Sequence, residues 1–257
     1  MAKRVLVTGA TGTIGTIVAE DLAGRYEFTF LSRRRVRRPG FRRLNVATQY
    51  EAFRRLAARQ DVVLHLAYVE ETEETLDNLL MAKNVYRAAL AAPRPPRVVV
   101  ASSIHAVGGH IDWSREPYAS LARRDYRRLK RPPAPITTRH RLRPNGLYGA
   151  FKGYMELLGQ WYASQGLEVV VIRFGGVRTD DRWPEEPGYH TFWLSRRDCA
   201  QLIRRAIEAR LPANFVLVFG LSANRYNVYD ISSAREILGY RPRDDAERRR
   251  RRPPAGR

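Results

Sequence analysis

The chain has 257 residues, 44% of them hydrophobic, and a formal net charge of +20 at pH 7. A chain of this length buries roughly 70–75% of its unfolded surface, so a core forms without staples, and its one cysteine, Cys199, excludes a disulfide framework. There is no run of ~18 apolar residues and no signal-peptide pattern, so the expectation is a cytoplasmic protein without a membrane partner. The charge invites a nucleic-acid reading. Only Lys3, Lys83, Lys130 and Lys152 among the 46 basic residues are lysines, and the arginines are spread along the chain with clusters at 33–43, 123–131 and 248–252. That skew reads as compositional bias, and no specific nucleic-acid partner is expected.

In chain order, Lys3 to Thr8 reads as a first strand and Thr13 to Ala23 as a helix closed by Gly24. Between them lie Gly9, Gly12 and Gly15, three apart. A strand, a turn with this glycine spacing and a helix form a dinucleotide site. Gly9 allows the tight turn, Gly12 lets backbone approach a pyrophosphate, and Gly15 lets helix pack on strand. Thr13 and Ile14 open the helix whose free N–H groups face the phosphates. Glu27 to Ser32 is the second strand, Leu44 to Val46 a short third, Tyr50 to Ala58 a helix and Asp61 to Ala67 a fourth strand. Glu71 to Ala92 is a long amphipathic helix, Arg97 to Ser102 a fifth strand, Tyr148 to Gln165 a helix and Leu167 to Phe174 a sixth strand. A helix at Ser195–Arg210, a strand at Phe215–Phe219 and a helix at Asp230–Leu238 follow.

This alternation predicts an α/β fold: a Rossmann-type, doubly wound parallel sheet, with the ligand beyond the strand carboxyl ends. The expected division is a dinucleotide-binding domain at 1–174, a small substrate-binding portion at 175–247 and a disordered basic tail at 248–257. Residues 111–143 are read as a long inserted basic loop.

At the end of the second strand an acidic residue favours NAD and an arginine favours the 2′-phosphate of NADP. Here Arg33 and Arg34 hold the position, and no Asp or Glu occurs between Glu27 and Glu51. Arginine pairs with phosphate through two charge-assisted bonds. The cofactor is therefore read as NADP, with NAD the alternative; the competing view of Arg33 is a solvated basic loop.

Two further features then converge with the nucleotide fold on one chemistry. Ser102 and Ser103 close the fifth strand at the ligand edge, and Tyr148 and Lys152, four apart, share one helix face. Hydride transfer at a carbinol or carbonyl carbon needs a proton moved at the oxygen. A free tyrosine, with a pKa near ~10, must fall by about 2–3 units to act as a base near neutrality. One ammonium ~4 Å away supplies about 4 kcal/mol at an effective dielectric of ~20, so Lys152 suffices in magnitude.

The order Thr8–Gly15, Asn78, Ser102-Ser103, Tyr148-x-x-x-Lys152, Arg173 and Asp198 resembles the extended short-chain dehydrogenase/reductases, the NAD-dependent epimerase/dehydratase family. The likeness spans residues 3–245. Ala101–His105, Arg143–Gly149, Ser222–Asn224 and Leu238–Glu247 give a closer likeness to uronate dehydrogenases and related sugar dehydrogenases. The resemblance implies Ser103, Tyr148 and Lys152 as a catalytic triad and Asn78 as the residue that helps order the lysine. It places Asn45 and Val46 beside the adenine and Leu66, Ala67 and Tyr68 along the cofactor. It also implies a homodimer through the helices at 71–92 and 148–165. Ile104 stands where uronate dehydrogenases carry asparagine, and Gly176 where the family often has asparagine or serine. Arg178 and Arg182 are the nearby candidates to bind a substrate carboxylate.

His105 is read either as a substrate contact or as a loop hydrogen-bonder, and His65 as a satisfied core residue. Trp183, Tyr189, Phe192 and Trp193 either line a sugar-sized pocket or pack the core. Cys199 is expected to be buried, and no spacing suggests a metal site. The sequence thus reads as an NADP-preferring oxidoreductase acting on a sugar or similar small hydroxyl or carbonyl compound. The alternatives are an epimerase or dehydratase that retains its cofactor, and a cofactor-sensing binding protein without catalysis.

Overall fold

Apolar runs without alternation, such as Val98-Val99-Val100, must bury both faces, and a parallel sheet covered on both sides does so. The computed structural model describes residues 2–70, 76–129, 131–182, 186 and 188–251. Its seven strands are β1 (Arg4–Thr8), β2 (Glu27–Ser32), β3 (Phe41–Arg43), β4 (Val62–His65), β5 (Arg97–Ser103), β6 (Val169–Phe174) and β7 (Phe215–Gly220). All are parallel, in the order β3-β2-β1-β4-β5-β6-β7.

The pleat sends alternate residues of each strand to opposite faces, and each face has its own core. On one, Val5 and Val7 pack with Ile17 and Val18 of α1 (Thr13–Asp21), Leu202 and Ile203 of α6 (Arg196–Glu208) and Leu238 of α7 (Ser232–Leu238). On the other, Leu6 packs with Phe53 of α2 (Tyr50–Ala57), Val85 and Tyr86 of α3 (Asp77–Leu90), and Met155 and Tyr162 of α5 (Leu147–Ser164). The chain winds outward both ways from β1, which lies between β2 and β4. The crevice at the carboxyl ends of β1 and β4 is therefore the switch point where such sheets bind ligands.

Three expectations need correction. The third strand is Phe41–Arg43, not Leu44–Val46: Phe41 stacks on Phe30 at 4.9 Å, while Leu44 and Val46 are only 6% and 3% exposed and turn into the core. Residues 111–143 are not an open loop. They carry α4 (Tyr118–Arg123), and Leu121 and Ile136 join Ile104, Phe219, Val228 and Tyr229 in a third apolar cluster, fixed by a parallel bridge between Ile136 and Tyr229. The basic tail does not begin in disorder, because residues 248–251 continue α8 (Ala246–Arg251); residues 252–257 lie outside the described residues, as do residues 71–75 of the expected long helix. No helix among the described residues is long and apolar enough to cross a membrane.

Candidate active site

The glycine turn lies at the switch point. Gly9 has φ +71°, and a Cβ there would come within 2.5–2.7 Å of the Leu66–Ala67 backbone. Only glycine lets this turn press against the segment leaving β4. A Cβ on Gly15 would meet the Gly9 carbonyl oxygen at 2.5 Å, so α1 could not seat against the turn. A Cβ on Gly12 would have only that same oxygen near it, at 3.4 Å, so the space outside Gly12 is open on the side where α1 begins. An open approach to a helix N-terminus suits an anionic ligand. The cleft above holds about 570 Å³, within the usual range for small-molecule sites. It runs from Arg33 and Arg34, past Gly12, Thr13, Ile14 and Gly15, to Ser103, Tyr148 and Lys152. A turn of this shape, a long cleft and cations at one end fit a dinucleotide.

At the cation end, Val46 lines the wall but Asn45 does not. The Asn45 side chain accepts from Ala47 N at 3.0 Å, and the Asn45 backbone N–H donates to Gln49 Oε1 at 2.8 Å, so the residue shapes the approach to α2. Leu44 takes a place in the wall instead, along with Leu66, Ala67 and Tyr68 from the β4 side. Arg33 has an acid nearby after all. Its guanidinium lies 3.8 Å from the carboxylate of Asp77, brought in by α3 from far along the chain.

At the other end, Ser103 closes β5, and α5 places Tyr148 and Lys152 one turn apart. Lys152 is 2% exposed; its Nζ donates to the Ala101 carbonyl at 2.7 Å and lies 5.2 and 5.4 Å from the ring centres of Tyr68 and Tyr148. Burial pulls its pKa down to about 8. Tyr68 and His105 meet the Tyr148 ring edge-on at 4.8 and 5.6 Å and hold it in place. Burial raises the Tyr148 pKa and a hydrogen bond with Ser103 opposes it, with a net rise. The drop that Lys152 was expected to bring about is not seen: burial disfavours the phenolate, only the Ser103 hydrogen bond opposes it, and the Lys152 ammonium is itself desolvated. With the residue 37% exposed, water screens part of that penalty.

A buried network under the site was missing from the sequence reading. Glu156, one turn beyond Lys152 on the same helix face, accepts from Arg173 at 2.9 and 2.7 Å and from the Ser102 hydroxyl. Both charged residues are at most 4% exposed. The regular i, i+4, i+8 spacing of Tyr148, Lys152 and Glu156 was the signal for it.

The remaining candidates divide. His65 is a satisfied core residue: Nδ1 lies 2.7 Å from Thr8 Oγ1, and burial with the Lys152 charge pushes its pKa to about 3, so it stays neutral. Asn78 clamps Val69, accepting from its N–H at 3.0 Å and donating to its carbonyl at 2.8 Å. It thus shapes the Tyr68–Val69 wall, and the direct hold on Lys152 comes from Ala101 instead. Ile104 is 4% exposed and belongs to the third apolar cluster, so it does not face the cleft. His105 Nδ1 lies 3.0 Å from Asn145 Oδ1, and its ring packs on Tyr148 without itself lining the cleft. Arg178 and Arg182 are exposed and both pair with Asp180, at 3.3 and 3.6 Å; neither lines the cleft, because a local carboxylate draws them outward. The Tyr189 ring covers Gly176, where a Cβ would come within 2.5 Å of it. Tyr189 and Trp193 are 6% and 0% exposed and pack as core, and Trp183 lies outside the described residues. Cys199 is buried and its thiol pKa pushed up, which makes it inert. Among the described residues no group of three or more metal-ligating side chains could hold a metal.

Comparison with known proteins agrees with this geometry. The sequence profile of the NAD-dependent epimerase/dehydratase family matches residues 5–178. An L-arabinose 1-dehydrogenase (NAD(P)(+)) of Haloferax volcanii is 32% identical over 95% of this chain and 97% of its own length. An NAD-dependent glucose-6-phosphate dehydrogenase of the same organism is 29% identical over 96% and 95%. Among solved structures, a uronate dehydrogenase variant from Agrobacterium tumefaciens complexed with NAD superposes with a TM-score of 0.79 at 28% identity, covering 99% of this chain and 91% of that one.

Proposed function

The chain belongs to the NAD-dependent epimerase/dehydratase family, and on that premise we propose that it is an NAD(P)-dependent sugar dehydrogenase that prefers NADP. The observation that carries this reading is the placement of Ser103, Tyr148 and Lys152 at one end of a single cleft whose other end holds Arg33 and Arg34. The relatives' sugar substrates support the substrate class.

In this reading the glycine turn and the start of α1 bind the pyrophosphate, and Arg33 and Arg34 bind the 2′-phosphate. A bound nicotinamide supplies the hydride acceptor or donor. Ser103 hydrogen-bonds the reacting substrate oxygen and orients it toward Tyr148. As the carbinol is oxidised, the Tyr148 phenolate takes the hydroxyl proton and becomes the phenol; in reduction the phenol gives its proton to the carbonyl oxygen and returns to the phenolate. Lys152, held by Ala101, favours the charged phenolate in that step.

We also read the protein as a cytoplasmic homodimer. The only charged residues of α5, Lys152 and Glu156, are both buried, so its outer face carries no charge in a chain of net charge +20. Leu157 and Trp161 stand on it 57% and 56% exposed. A second copy covers such a face without like-charge repulsion.

The test is a panel of neutral aldoses, uronates and sugar phosphates with NADP+ and NAD+, followed by nicotinamide absorbance. Turnover of a sugar with a higher kcat/KM for NADP+ is expected. Preference for NAD+ contradicts the cofactor assignment, and silence across the panel contradicts the substrate class.

A further inference from the structure

The cation that ends β2 is not free to act alone. Arg33 Nη1 lies 3.8 Å from Asp77 Oδ2, with the two side chains 54% and 32% exposed. Arg33 follows β2, whereas Asp77 opens α3, the helix after β4. The ion pair thus reaches across the β1 position, from one flank of the switch-point crevice to the other. We propose that Asp77 is a specificity-determining residue that weakens NADP binding selectively, by holding Arg33 and by repelling the 2′-phosphate. The inference rests on the reading of Arg33 as a 2′-phosphate contact.

The physical argument turns on which ligand senses the pair. A 2′-phosphate brings up to two negative charges to Arg33. It must displace the carboxylate from the guanidinium or bind beside it, and a like charge close by opposes either arrangement. A 2′-hydroxyl is neutral and gains or loses little from the same carboxylate. Removing the charge of Asp77 therefore acts on one cofactor and spares the other. Because both side chains are exposed, solvent screens the effect to about three- to five-fold in affinity. Cofactor preference is then a balance set on two elements, and Arg33 alone does not determine it.

The experiment measures Kd for NADPH and NADH by fluorescence titration of the full-length protein, in wild type, Asp77→Asn, Arg33→Ala, the double variant and Asp77→Glu. Asp77 lies in the first turn of α3, where a negative charge also stabilises the helix. Thermal melts therefore accompany each titration, and Asp77→Glu preserves the charge. Asp77→Asn is expected to tighten NADPH about three- to five-fold and to leave NADH within about two-fold. The double variant should bind NADPH no more than about two-fold tighter than Arg33→Ala, the share left to direct repulsion, and Asp77→Glu should match wild type. If Arg33→Ala weakens NADPH but Asp77→Asn changes neither cofactor, or both equally, the role of Asp77 is overturned. If Arg33→Ala leaves the NADPH affinity unchanged, the reading of Arg33 itself falls and the inference falls with it.

Discussion

Lys152 reaches from the second turn of α5 to the end of β5, where its Nζ donates a 2.7 Å hydrogen bond to the carbonyl oxygen of Ala101. The bond joins the helix that carries Tyr148 to the strand that carries Ser103. The three groups therefore sit on one rigid joint, as a site made of regular elements requires.

That joint is costly. Burial lowers the Lys152 pKa from 10.5 to about 8, so between those values the unfolded chain binds the proton more readily than the folded one. Stability rises with pH across that window, and below it the charged lysine costs the fold roughly 3 kcal/mol, less the bond to Ala101. Lys152→Met is expected to raise Tm at pH 7 while abolishing turnover, with the Tm gap closing as pH approaches 10.5. A lower Tm at pH 7 would contradict the burial cost.

The Glu156–Arg173 pair makes a second prediction. Removing one partner strands a buried charge, and Arg173 Nη1 already lacks a hydrogen-bond partner among the described residues. Glu156→Ala should cost about 3–5 kcal/mol in urea denaturation, whereas replacing both residues by methionine should recover most of that loss. Equal losses for the single and double variants would show that the pair acts through packing alone.

Gly149 tests positioning. A Cβ there would run into the His105 carbonyl, and Tyr148 is its immediate neighbour. Gly149→Ala should keep the fold and lower kcat/KM about 100-fold. Gly146→Ala, where an added methyl meets nothing within 4 Å, should leave it within about two-fold. A fully active Gly149→Ala variant would mean that the site tolerates movement of α5.

Assembly is tested by adding charge to the exposed face of α5. Sedimentation should show a dimer for wild type and a monomer for the Leu157→Glu, Trp161→Glu variant, with Tm largely retained in the monomer. A monomeric wild type would contradict the dimer reading.

How much of this was legible in the sequence depends on whether the signal was local. β2 was read to its boundaries because Glu27–Ser32 is a continuous strand-forming run; the glycine turn and Tyr148-x-x-x-Lys152 were legible as spacings. β3 was misplaced because Phe41-Arg42-Arg43 has little apolar pattern of its own, and what fixes it is its pairing with β2 and the stack on Phe30. The third apolar cluster joins Ile104, Leu121, Ile136 and Tyr229, residues too far apart in sequence for any periodicity to reveal. Asp77 escaped notice as a neighbour of Arg33 for the same reason. Arg178 and Arg182 looked available because the pull of Asp180 depends on local side-chain geometry.

The central claim is that Tyr148 moves the substrate proton, and Tyr148→Phe tests it most directly. The substitution keeps the ring between Tyr68 and His105 and removes only the hydroxyl. With a sugar that the wild type oxidises, kcat should fall by about 10²–10⁴ while the Kd for NADPH stays within about two-fold. Turnover at the wild-type rate would contradict the mechanism proposed for this cleft.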